Sequence, residues 1–165
     1  MSATSRRRPT ARAGSPGGYL TPMHVERSFS VPRPPDEVFA YLADFTHTQE
    51  WDPGTVSTTR TSGDGGLGTT YANTSEFMGR RVELTYETVE HQPPTRVRFR
   101  GTNDSATTYD TMTFEAEGAG TRIHYRADFQ FGRLLSLVAP LVLRGRLDKL
   151  ADETVEQLTD ALTTR

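Results

Sequence analysis

The chain contains no cysteine. Disulfide bonds, thiol catalysis and thiolate metal sites are therefore excluded. Lysine occurs once, at Lys149, so arginine supplies the other 18 of the 19 basic side chains. Histidine occurs four times, at His24, His47, His91 and His124, and no two stand at the spacing of a helical metal motif. No metal site is expected. No window approaches the ~18 consecutive apolar residues of a membrane-spanning helix. Ser5-Arg6-Arg7 opens like a twin-arginine signal, but no apolar stretch follows, so a cytoplasmic protein is expected. Acidic residues are missing from 1–22, which holds Arg6, Arg7, Arg8 and Arg12. These four leave 15 basic groups against 21 acidic ones in 23–165. A folded part of that sign is a poor partner for nucleic acid, whose phosphates need a positive face, and none is expected.

What is present divides at Pro22. Residues 1–22 are rich in Ser, Arg, Gly and Pro with little to bury, which predicts a disordered basic extension. Residues 23–165 are expected to form one domain, long enough for a real core. Met23 stands just before the first strand pattern, and translation from either Met1 or Met23 fits this division.

The pattern begins with a strand, His24 to Val31, whose inner face carries Val25, Arg27, Phe29 and Val31. Pro35 opens a helix with Asp36 and Glu37 in its first turn, where the dipole favours acids. Val38, Phe39, Tyr41, Leu42 and Phe45 give its apolar stripe. A second short helix covers Thr46 to Trp51. Six strand-like runs follow: 56–61, 69–77, 80–89, 96–102, 107–116 and 121–129. Turn-forming residues separate them, which predicts an antiparallel meander. A long helical pattern, 134–162, ends the chain, with Leu147, Leu150, Ala151, Val155, Leu158 and Leu162 on one face. Pro140 predicts a kink or break there. Leu137, Val138, Leu141 and Val142 are too apolar to face water, so this end of the helix is expected to act as a lid.

Alternation assigns the inner faces. Tyr71, Asn73, Ser75 and Phe77 share one. Val82, Leu84 and Tyr86 form the next, followed by Val97 and Phe99. Thr108, Asp110, Met112 and Phe114 follow, then Ile123, Tyr125, Ala127 and Phe129. Arg96, Arg98, Arg100, Glu115, Arg122, His124, Arg126 and Asp128 fall outside. A curved sheet gripping a helix leaves a cavity. An apolar cavity with a few convergent polar groups is how small-molecule sites are built. The candidate ligand-binding residues are Trp51, Tyr71, Asn73, Ser75, Phe77, Leu84, Tyr86, Phe99, Asp110, Met112, Phe114, Tyr125 and Leu141. Asn73, Ser75 and Asp110 either hydrogen-bond one another and water or orient the ligand. Should there be chemistry, the acid–base groups are Asp110, Tyr71, Tyr86, Tyr125 or Arg80, with Asp110 and Tyr125 the catalytic candidates. His47 is the one histidine placed to reach a cavity mouth. Gly63 to Gly68 lacks the Lys-Ser/Thr and the following helix of a phosphate loop, and reads as a flexible hairpin at the cavity rim.

Phe29-Ser30-Val31-Pro32, the helix Asp36 to Phe45 and Trp51-Asp52-Pro53 resemble the START-like (SRPBCC) superfamily. Within it the chain is most similar to the bacterial polyketide cyclase/dehydrase-like group. Gly66-Leu67-Gly68-Thr69, Tyr86-Glu87-Thr88-Val89 and Gly120-Thr121-Arg122-Ile123 fit as well. The resemblance implies an α+β helix-grip fold. A seven-stranded antiparallel curved sheet wraps round a long C-terminal helix, with two short helices between the first two strands. It implies a hydrophobic ligand (lipid, polyketide or aromatic) and no cofactor. A polyketide cyclase/dehydratase-type enzyme is the alternative, with an acyl carrier protein as its partner.

Overall fold

The computed structural model describes residues 23–132 and 140–164. Strand β1 (Met23–Val31) leads into helix α1 (Pro35–Leu42), a 3-10 turn (Phe45–His47) and helix α2 (Thr48–Trp51). Strands β2 (Thr55–Ser62), β3 (Thr70–Phe77), β4 (Arg80–Gln92), β5 (Arg96–Thr102), β6 (Ala106–Glu117) and β7 (Gly120–Phe131) follow. Helix α3 (Pro140–Thr163) comes last. The seven strands form one antiparallel sheet in the order β1-β7-β6-β5-β4-β3-β2, so β1 closes against β7 with Met23 opposite Phe129 and Val31 opposite Thr121. This is the helix-grip arrangement, and α3 lies along β1.

Local chemistry explains the elements. Pro35 occupies the first turn of α1, where its missing N–H costs nothing, and Asp36 and Glu37 meet the positive end of the dipole. Val38, Phe39, Tyr41 and Leu42 bury one face of it. Asp44 caps the 3-10 turn, accepting from the Thr46 amide at 3.0 Å and from Thr46 Oγ1 at 2.7 Å. Phe45 then enters the core, where its ring meets Tyr86 at 4.3 Å, Phe99 at 4.5 Å and Tyr71 at 5.6 Å. A register shift between Thr88 and Glu90 marks a bulge that helps curve β4. It turns Glu90 toward the outer arginines, where it pairs with Arg96 at 2.6 Å and Arg98 at 3.3 Å.

Helix α3 buries Leu143, Leu147, Ala151, Thr154, Leu158 and Leu162, one residue per turn. Arg27, the charged member of the inner face of β1, explains that face's imperfect pattern: its guanidinium donates to Asp152 at 2.7 Å and to Asp148 at 3.4 Å. The described helix runs Pro140–Thr163, and the turn before Pro140, where a kink or break is expected, lies outside the described residues. Leu134, Leu135, Leu137 and Val138, assigned to the same helix from sequence, lie outside the described residues. Leu141 and Val142 depart from expectation: they are 85% and 54% exposed. The stripe that buries α3 starts at Leu143, and the two residues before it fall on the far side of the turn.

Candidate functional site

A cavity of about 940 Å³ lies between the concave face of the sheet, α2 and the middle of α3. Its apolar wall includes Val25, Phe45, Phe77, Leu84, Ala127, Phe129, Phe131, Leu147 and Ala151. Its mouth lies where the β3–β4 turn (Met78, Arg80) and the β5–β6 turn (Asn103 to Ala106) approach the end of β7. The Gly63–Gly68 loop joins β2 to β3 at the other end of the sheet and lies off this wall, which corrects its expected place at the rim.

Seven of the candidate residues lie on the cavity wall: Trp51, Ser75, Phe77, Leu84, Tyr86, Asp110 and Tyr125. Tyr71, Phe99, Met112 and Phe114 share their faces but are wholly packed into the core, 0–3% exposed, and do not line the cavity. Alternation identifies the inner side of a strand, but it does not say where along the strand the space above is filled by α1 and Phe45. Leu141 is solvent-exposed and off the wall. Asn73 is buried behind the wall and serves α2. Its Nδ2 donates to Thr58 Oγ1 at 2.9 Å, and Thr58 bonds Thr48 Oγ1 at 2.7 Å, which donates to the Phe45 carbonyl at 2.7 Å. Ser75 donates to Asn73 Oδ1 at 2.7 Å, so of the three polar residues Asn73 and Ser75 satisfy one another. His47 stacks on Tyr41 at 4.4 Å, bonds the Tyr41 carbonyl at 2.7 Å and does not line the cavity.

The polar centre of the cavity is Asp110. Tyr125 donates to Asp110 Oδ1 at 2.8 Å. Tyr86, on the neighbouring side, bonds Thr108 Oγ1 at 3.2 Å. Gly101 makes room for that ring. On β5 it sits opposite Tyr86 of β4 and Thr108 of β6, and a Cβ there would fall 2.5 Å from Tyr86 Cζ. An isolated glycine inside a strand signals such a close approach, and this was the readable sign of it. Burial raises the Asp110 carboxyl from 3.8 to about 7, against the opposing hydrogen bond from Tyr125 and with help from the nearby charge of Asp52. Burial also pushes the Tyr86 and Tyr125 phenols well above their usual range, with the negative charge of Asp110 adding to it. Both phenols therefore remain donors, and Asp110 alone of the three exchanges a proton near neutral pH.

Asp52 is a wall residue that sequence reasoning left unassigned. Burial raises its carboxyl too, opposed by the Thr55 hydroxyl at 2.7 Å and the Gly54 amide at 3.0 Å. Thr154 and Arg81 were likewise not singled out for the wall, which they share with Thr108, placed on an inner face from the sequence, and with Arg80, named there as an acid–base group. Trp51 is 2% exposed, and its indole N–H has no hydrogen-bond partner among the described residues. Among the described residues no group of His, Asp and Glu is arranged to hold a metal ion, and no helix is long and apolar enough to cross a membrane.

A family model described as polyketide cyclase / dehydrase and lipid transport matches residues 22–163. No curated protein matches the sequence. Solved structures share the fold at low identity. A START superfamily protein from Mycobacterium smegmatis is 17% identical, with a TM-score of 0.66 over 90% of this chain and 97% of its own. The Zhui aromatase/cyclase from a Streptomyces species is also 17% identical, with a TM-score of 0.66 over 86% of this chain and 92% of its own. Ara h 8.0201 is 15% identical, with a TM-score of 0.65 over 88% of this chain and all of its own.

Proposed function

Because the chain belongs to the polyketide cyclase / dehydrase and lipid transport family, we propose that it binds one hydrophobic small molecule, a lipid, polyketide or aromatic compound, inside the cavity. The observation that carries this reading is the cavity itself: about 940 Å³, mostly apolar, with a buried polar cluster at Asp110, Tyr125 and Tyr86. That volume accepts a ligand of drug size or larger. The apolar wall supplies affinity in proportion to the area removed from water. The cluster fixes one oxygen-bearing end, with two phenols to donate and a carboxyl that either donates or accepts. Trp51, the only tryptophan, lies on the wall and reports occupancy through its emission. Titration with the neutral dye Nile red, followed by calorimetry and, in the parent alone, by Trp51 fluorescence, tests the reading. Binding should be saturable and should weaken at least tenfold in Leu84→Trp, whose larger ring fills the space; equal binding by both proteins would reject the cavity as the site.

A second reading is favoured by Asp110 specifically. A carboxyl held near 7 inside an apolar chamber suits general acid–base catalysis. As a cyclase or dehydratase on a polyketide-like substrate, ionised Asp110 would take a proton from a carbon between two carbonyls. The enolate carbon would attack a ketone carbonyl of the same substrate, opening its C=O π bond to an alkoxide, and the protonated carboxyl would return its proton to that oxygen to give a hydroxyl. The carboxylate would then take the second proton from the same carbon and deliver it to the hydroxyl, so that the C–O bond breaks, a C=C bond forms and water leaves. An acyl carrier protein would then be the partner that presents the substrate. Asp110→Asn separates the two readings. A carrier keeps its ligand within a few-fold, whereas an enzyme loses turnover of a poly-β-keto thioester far out of proportion to binding.

A further inference from the structure

The arginines of this protein divide sharply by what they touch. On the outer face Arg96, Arg98, Arg100, Arg122 and Arg126 each pair with a carboxylate. At the cavity mouth Arg80 and Arg81, both exposed, make no ion pair among the described residues, and neither does Arg146 near the start of α3. Arg144, one turn into α3, has only a long contact of 3.9 Å to Asp148. Of the five large apolar residues that stand exposed among the described residues, three are at this end, while Val56 in β2 and Leu67 in the β2–β3 loop lie off the mouth wall. Met78, at 40%, is on the mouth, and Leu141 and Val142, at 85% and 54%, stand at the start of α3. The direction of α3 brings these sets to one end of the molecule. Its far end, at Leu162, accepts a hydrogen bond from Arg33 beyond the end of β1. Its near end therefore lies with Met23, Phe129 and Gly132, and Phe129 and Gly132 line the cavity. Leu141 is six residues before the wall residue Leu147, about 9 Å along the helix axis.

From this juxtaposition we infer that the mouth of the cavity is a docking face for an anionic lipid surface, with Met78, Leu141 and Val142 entering the interface and Arg80, Arg81, Arg144 and Arg146 meeting the headgroups.

Charge complementarity selects the occupant. Residues 23–165 carry 15 basic groups against 21 acidic ones, yet at this end four arginines stand with Glu76 and Asp104 on the mouth wall and Asp148 on α3. An excess of positive charge on an otherwise acidic molecule orients it mouth-first toward a negative surface. The apolar residues among the arginines then bury their side chains at the headgroup–acyl boundary, and the long arginine stems reach along them to the phosphates. Leu141 is too exposed to contribute to the fold, so it incurs the cost of contact with water without helping to fill the core. The same face is the opening through which an apolar molecule would enter the cavity. Vesicle binding is nonetheless read with the cavity empty, so it stands or falls apart from the ligand reading.

Sedimentation of the full chain with vesicles tests the inference. Vesicles of phosphatidylcholine with 30% phosphatidylglycerol are compared with phosphatidylcholine alone. The expected result is binding to the anionic vesicles only, weakened by salt because exposed charges are screened. Arg80→Gln with Arg81→Gln should reduce affinity roughly tenfold or more, as about 1 kcal/mol per surface arginine implies. Leu141→Ser with Val142→Ser should reduce it further without lowering the melting temperature, since both residues are exposed. Arg122→Gln, on the outer face, should leave it unchanged. Anionic-vesicle binding that survives both mouth variants would assign it to the arginines of residues 1–22 and overturn the inference. Failure to sediment with either vesicle would overturn it too. So would a stable dimer in solution that dissociates in the Leu141/Val142 variant, because the face would then belong to a second copy.

Discussion

Asp110 is the residue on which the site turns, and its protonation leaves a mark on stability. Its carboxyl is raised to about 7 in the folded protein from 3.8. Between those values the folded state binds the proton that the unfolded state releases. Stability is therefore highest below about pH 4 as far as this group is concerned, and it falls as pH rises toward 7 and above. The loss is at most about 4 kcal/mol, and less where solvent reaches the carboxyl through the cavity. Asp110→Asn removes that dependence. Measured by urea denaturation, the variant should gain stability relative to the parent as pH goes from 4 to 8; a difference that stays flat with pH would show that Asp110 is ionised throughout. Gly101 makes the companion prediction. Gly101→Ala would set a methyl 2.5 Å from Tyr86 Cζ and 2.8 Å from Thr108 Oγ1. The Tyr86 ring must swing into the cavity, at a cost of about 1–3 kcal/mol. Both a lower melting temperature and weaker ligand binding should follow.

At the scale of the elements, α3 is uneven along its length. From Leu147 to Leu162 each turn buries a residue against the sheet, while Leu141, Val142, Arg144, Gly145 and Arg146 are exposed. Amide exchange from Leu141 to Gly145 should be faster than from Leu147 to Leu158, because the first turns can open without global unfolding. Uniform protection along α3 would contradict this.

The elements were also what the sequence made most legible. Strict alternation in β3, β6 and β7 named the inner faces correctly from Tyr71 to Phe129, and the three-and-four spacing from Leu147 to Leu162 named α3. The cavity was legible only as a side of the sheet. Tyr71, Phe99, Met112 and Phe114 share that side with Tyr86 and Asp110, but α1 and Phe45 fill the space above them. Nothing local in β3 or β5 encodes where a helix from elsewhere in the chain will land. Asp52 was missed because its role comes from a turn, with Thr55 and Gly54 holding the carboxyl against the wall. Leu141 was misplaced because hydrophobicity alone cannot tell a buried stripe from an apolar patch at a mouth.

Considered whole, the molecule is a sheet bent around one helix with space left between them, and its central claim is that this space is occupied in use. The chain folds round the cavity with a complete core elsewhere, built on Val38, Leu42, Phe99, Ile123 and Leu158. The cavity walls are therefore a feature held open by the fold at a cost in unrealised packing, which a ligand recovers. Native mass spectrometry of the protein, purified gently from cells without detergent, tests this most directly. The account predicts a second population, heavier by the mass of one apolar small molecule, that disappears in Leu84→Trp and returns to the parent when the released compound is added back. A single population at the mass of the chain alone, together with failure of the parent to take up Nile red, would contradict it.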